Sequence, residues 1–99
     1  MHPKRALDGL AKISGRLMAY VLSDSTVNIV FLAVEGAGNS SPVKAKNVAA
    51  AEKVFLSCGL TAELAAAMCE ELSRNHFVSI ETSVNEEIAG KFQYRFPHN

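Results

Sequence analysis

The chain has no tryptophan, only two cysteines, three histidines and three prolines, and no excess of either charge. Each scarcity removes a class of explanation. Cys58 and Cys69 lie inside apolar helical patterns, where a thiol acts as a small buried hydrophobe and not as half of a disulfide framework. His2 and His98 stand beside the ends of the sequence, which leaves His76 as the one histidine placed among the structural elements. The spacing of Cys58, Cys69 and His76 matches no Cys-x-x-Cys or His-x-x-x-His ligand pattern, so neither a metal nor a cofactor is expected.

Ten Lys and Arg balance ten Asp and Glu, so the chain lacks the overall positive field on which counterion-release binding to nucleic acid depends. Residues 1–34 set Lys4, Arg5, Lys12 and Arg16 against Asp8 and Asp24, and the remainder tilts the other way. That is a tilt and not a basic tail. No run approaches the roughly eighteen apolar residues of a membrane-spanning helix, the longest stretch being Val27 to Val34. Behind Met1-His2-Pro3-Lys4-Arg5, the charges of Asp8, Lys12 and Arg16 interrupt any apolar segment of an export signal. With reduced cysteines, the expectation is a cytoplasmic protein.

What is present is an ordinary globular balance, 48% apolar and 20% charged over 99 residues. That composition is far from disorder and suits a single domain, residues 1–99. Leu7, Leu10, Ala11, Leu17, Met18, Val21 and Leu22 recur at spacings of three and four, which predicts an amphipathic helix over 7–22. Gly15 leaves a second reading open: a shorter helix to Ser14, then Arg16 to Leu22 as a strand that turns back through Ser23-Asp24-Ser25-Thr26. Val27 to Val34 is β-branched and aromatic with almost no alternation, as expected of a central strand covered on both faces. After a loop over 35–41, Pro42 suits the first turn of a helix running to Ser57.

Gly59 then supplies a left-handed stop, and Thr61 with Glu63 opens another helix carrying Leu64, Ala65, Met68, Cys69 and Leu72 on one face. In the tail Val78, Ile80 and Thr82 alternate with Ser79, Glu81 and Ser83, and Phe92, Tyr94 and Phe96 alternate with Lys91, Gln93 and Arg95. Two strands result, over 77–83 and 91–96, joined through a helical turn at Asn85 to Gly90. The fold class is therefore α+β: a small, mostly antiparallel sheet of three or four strands packed against helices, in the order α-β-α-α-β-β, or α-β-β-α-α-β-β if Gly15 breaks the first helix. The expected core is Leu10, Leu17, Val21, Ile29, Phe31, Val48, Val54, Phe55, Leu64, Met68, Leu72, Val78, Ile80, Phe92, Tyr94 and Phe96.

This order, with its tight turn between the second and third helices and its closing hairpin, is similar to that of a winged helix, which makes DNA binding the alternative function. The helix that would read bases, however, presents Thr61, Ala62, Glu63, Ala66, Ala67 and Glu70, and Asn85-Glu86-Glu87 stands where a basic wing belongs. Gly36, Gly38, Ser40 and Ser41 begin like a phosphate-binding loop and define a second alternative, a weak anion or small-ligand site near Lys44 and Lys46, but the third glycine and the Lys-Ser pair of such loops are missing. Adjacent acids at Glu70-Glu71 and Glu86-Glu87 diverge on a helix, and nothing singles out Glu35 and Glu81 as an acid-base pair. No catalytic set is expected.

Surface shape remains. The second and third helices are rich in alanine, and Ala62 and Ala66, flanking Glu63, lie on an outward arc that another helix could approach closely. The strand carrying Lys91, Gln93 and Arg95 offers an edge to a symmetry mate. The reading is a non-enzymatic protein-interaction module, an adaptor, inhibitor or accessory factor that pairs as a homodimer, with nucleic acid and membrane not expected as partners.

Overall fold

A computed structural model of the chain describes residues 12–33, 42–85 and 88. Their order is β1 (Lys12–Val21), β2 (Val27–Ala33), β3 (Val43–Ala45), α1 (Val48–Ser57), α2 (Ala62–Asn75) and β4 (Phe77–Asn85). The strands make one antiparallel sheet in the order β3-β2-β1-β4. This is the expected α+β class. The expected elements at Leu10, over 34–41 and over 91–96 lie outside the described residues.

The first correction concerns residues 12–21, which form a strand and not the second half of a helix. Leu17, Ala19 and Val21 satisfy a two-residue period as well as Leu17, Met18 and Val21 satisfy a helical one, and distant partners decide between them. Gly15 shows how: a methyl group there would overlap the Leu32 carbonyl oxygen and come within 2.5 Å of the Phe31 ring, so this glycine lets β1 lie flush against β2. Of the two readings the strand with its turn at Ser23 to Thr26 is the nearer, but the strand begins at Lys12, runs through Gly15 and ends at Val21, so Lys12 to Ser14 are not the end of a shorter helix. In that turn Leu22 N–H donates to the Thr26 carbonyl at 2.8 Å, and the Asp24 carboxylate accepts from the Thr26 hydroxyl at 2.7 Å and from its N–H at 3.1 Å. These bonds, the hydroxyl's above all, hold the Asp24 carboxyl below its ordinary range.

The second correction is at Pro42, which precedes a strand. Val27 to Ile29 pair with Val43 to Ala45, and α1 begins only after Asn47, whose side chain accepts from Ala50 N–H at 2.8 Å. That cap satisfies one of the open N–H groups of the helix and fixes its first residue at Val48. At the other end Gly59 takes φ 94 and Thr61 Oγ1 accepts from Leu64 N–H at 3.1 Å, so only the four residues Cys58 to Thr61 separate α1 from α2, with the glycine stop and threonine cap that the sequence predicts. His76 closes α2 in the left-handed region at φ 65, and β4 begins one residue later. Asn85 in turn belongs to β4, and not to a helical cap.

Both helices pack on one face of the sheet. Leu17, Ala19, Val27, Ile29, Phe31, Phe55, Met68 and Leu72 are buried together there, joined by Ala45, Ala51, Cys58, Leu60, Ala65 and Val84. Of the expected core, Val21, Val48, Val54, Val78 and Ile80 are half-buried, and Leu64 is a correction at 39% exposed. Leu10, Phe92, Tyr94 and Phe96 lie outside the described residues. β2 is an inner strand as expected, but its positions alternate between buried and half-buried, so among the described residues its second face has no helix over it.

Candidate interaction surfaces

Three surfaces on this framework have shapes that could hold another molecule. The first lies between α2 and β4. At 100° per residue, the arc of α2 that carries Ala65, Met68 and Leu72 faces the sheet, which turns Leu64, Ala67 and Glu71 toward β4. With Phe77, Val78 and Ile80 they line an open cleft of about 420 Å³. Phe77 is 48% exposed, because in the register of β4 it shares a face with Ser79, Glu81 and Ser83 and not with Val78 and Ile80. The cleft's one acid is engaged: Glu71 accepts from Asn75 Nδ2 and from Arg74 at 2.9 Å, and these bonds hold its carboxyl below the usual range.

The expected contact residues Ala62, Glu63 and Ala66 are exposed, but they do not join this cleft. Ala62 and Ala66 stand on the opposite flank of α2 in line with Ser73, toward α1. There Ser73, His76, Val21, Ser25, Asn47 and Val48 enclose a second cleft of about 430 Å³. Ser25, at φ 75, and His76 both hold left-handed backbone at its rim.

The third surface is the side of the sheet away from the helices. The register sets Tyr20 beside Asn28 and Phe77, Met18 beside Val30 and Ser79, and Arg16 beside Leu32 and Glu81. Arg16 donates to Ser79 Oγ at 3.0 Å and pairs with Glu81 at 3.1 Å. Asn28 Nδ2 donates to Tyr20 Oη at 3.2 Å, while its Oδ1 is screened from solvent with no hydrogen-bond partner.

Burial pushes the Cys58 thiol up to about 11, and burial followed by the negative charge of Glu52 raises Cys69, so neither has the thiolate character of a nucleophile. Among the described residues no three His, Cys, Asp or Glu side chains gather as metal ligands, and no helix is long and apolar enough to cross a membrane. Glu81 is tied to Arg16, while Glu35, Lys91, Gln93, Arg95 and the loop of Gly36, Gly38, Ser40 and Ser41 fall outside the described residues.

Sequence reasoning missed Phe77 and Leu64 as surface groups. The signal for Phe77 was present, since extending the Ser79, Glu81, Ser83 alternation back by one step places it on the wet face. Comparison with protein-family models, with curated proteins and with solved structures finds no match.

Proposed function

We propose that this chain is a non-enzymatic protein-interaction module, an adaptor, inhibitor or accessory factor of the cytoplasm that also pairs with a second copy of itself. The observation that carries the reading is the α2–β4 cleft, where Leu64 and Phe77 remain 39% and 48% exposed around an apolar lining. Leaving a large apolar side chain half in water forgoes part of the roughly 1.5 to 3 kcal/mol that its full burial would contribute. A contact surface recovers that free energy on binding, which is why exposed aromatic and aliphatic groups at a concave site act as anchors.

The test is affinity capture with the wild-type chain against two variants, Leu64→Arg in the cleft and Ala62→Arg/Ala66→Arg on the opposite flank. Arginine stays soluble at both places, so thermal unfolding should shift little. The reading expects Leu64→Arg to lose at least one partner that the flank variant keeps. Capture that is identical for all three proteins rejects the cleft as a contact surface.

A further inference from the structure

Charge is unevenly placed over the described residues, although the whole sequence balances. Residues 62–85, which make α2 and β4, carry Glu63, Glu70, Glu71 and Glu81 against Arg74 alone. Residues 43–57, which make β3 and α1, carry Lys44, Lys46 and Lys53 against Glu52 alone. Because α2 packs over β4 and β1, and α1 over β3 and β2, the acids gather along one edge of the sheet and the lysines along the other. Three strand spacings of about 4.8 Å separate those edges, more than the screening length of about 8 Å at physiological salt. The lysines therefore do not cancel the acids locally, and Lys12, opposite Asn85, is at the far end of β4 from the α2–β4 cleft.

Two of these acids are engaged and two are not. Glu71 is held by Arg74 at 2.9 Å and Glu81 by Arg16 at 3.1 Å. Glu63 and Glu70 are exposed and, among the described residues, meet no cation. Seven positions apart, they lie about 20° from each other around α2 and roughly 40 to 60° from Ala67, so they form one acidic ridge along the outer lip of the cleft. We propose that this cleft takes a short cationic segment of another protein, its apolar side chains seated on Leu64 and Phe77 and its Lys or Arg side chains on the ridge of Glu63 and Glu70. The proposal rests on the reading of the cleft as a contact surface and adds the chemistry of the partner. The lining of α2 runs from Leu64 to Glu71, about 10 Å at 1.5 Å per residue, which admits about two anchors at the spacing of one helical turn. Lys and Arg suit the lip because their apolar stems cover Leu64 and Ala67 while the charge reaches the carboxylates. A neutral segment gains nothing from the ridge, and an acidic one is repelled.

Fluorescence anisotropy of the full chain tests this with labelled peptides of about twelve residues. Each has a pair of leucines at one-turn spacing on an alanine and glutamine background, with about three further positions set to lysine, glutamine or glutamate. At about 50 mM salt the lysine peptide should bind with a dissociation constant on the order of 100 µM, at least about tenfold more tightly than the glutamate peptide. Glu63→Gln/Glu70→Gln should weaken the lysine peptide about three- to tenfold and leave the glutamine peptide unchanged. Leu64→Gln, neutral and helix-forming, should weaken both. Equal binding of the lysine and glutamine peptides, still dependent on Leu64, overturns the cationic partner and leaves the cleft a contact surface. A lysine peptide indifferent to Leu64→Gln, or unbound up to about 1 mM, overturns the proposal, and the capture experiment above then decides the cleft separately. Binding that appears only in Lys91→Ala/Arg95→Ala means that this chain's own end holds the cleft, and overturns it too. So does self-association, read by sedimentation, that Leu64→Gln and Lys44→Ala/Lys46→Ala each abolish, because the occupant is then the basic edge of a second copy.

Discussion

Cys58 has no exposed surface, and burial alone keeps its thiol protonated up to about 11. In the unfolded chain the same thiol releases its proton near the ordinary 9.0. Because the folded value is the higher one, the unfolded state sheds its proton first as pH rises. The contribution of Cys58 to stability is therefore fully present below about pH 9 and is lost as the pH climbs to about 11. The thermal midpoint of the wild-type chain should fall across that window, and Cys58→Ala, with no proton to lose, should show a shallower fall. Equal slopes would disprove the linkage. Cys69, half-buried with its Sγ 3.5 Å from the Val48 carbonyl, should react with a thiol reagent before Cys58 does.

Among the elements, the junction of α2 and β4 stores the clearest local cost. His76 sits at φ 65, donates its N–H to the Leu72 carbonyl at 2.9 Å and accepts from Val21 N–H at 3.0 Å. Both bonds are made by the main chain, so glycine would keep them while relieving the left-handed penalty of about 1 to 2 kcal/mol that a side chain bears there. Part of that gain is offset by the greater freedom of glycine in the unfolded chain. His76→Gly should raise stability by about 0.5 to 1 kcal/mol in urea titration, and a fall would mean that the imidazole makes contacts that outweigh the strain.

The same junction shows where the sequence speaks. The α1–α2 turn is legible because Gly59 and Thr61 act on their immediate neighbours. β1 is not, because Leu17 and Val21 fit either period, Met18 completing the helical one and Ala19 the two-residue one, and the groups that decide, Phe31 beneath Gly15 and all of β4, are far along the chain. With three residues, β3 is too short to show any period against the helix that follows. Of the candidate surfaces, the side of the sheet away from the helices is half visible in the apolar run Ile29 to Ala33 of β2. The cleft required knowing that α2 turns Leu64 toward β4, a fact of tertiary packing.

For the whole molecule, equal numbers of cations and acids leave little to hold a polyanion, and α2 shows Glu63 and Glu70 on its exposed arc. A random duplex should migrate unretarded with about 10 µM protein at about 20 mM salt, where the phosphate term is strongest, and a retarded band would put the DNA-binding alternative ahead of the protein-interaction reading. The sheet itself joins sequence neighbours on one side of β1 and strangers on the other: Arg16 reaches Ser79 across 63 positions. At roughly 5 to 20 residues per second of synthesis, β1 and β2 leave the ribosome several seconds before β4 exists. Through that interval the newborn hairpin presents the edge that β4 will take, and the growing chain must be kept from its neighbours on the polysome until β4 closes that edge.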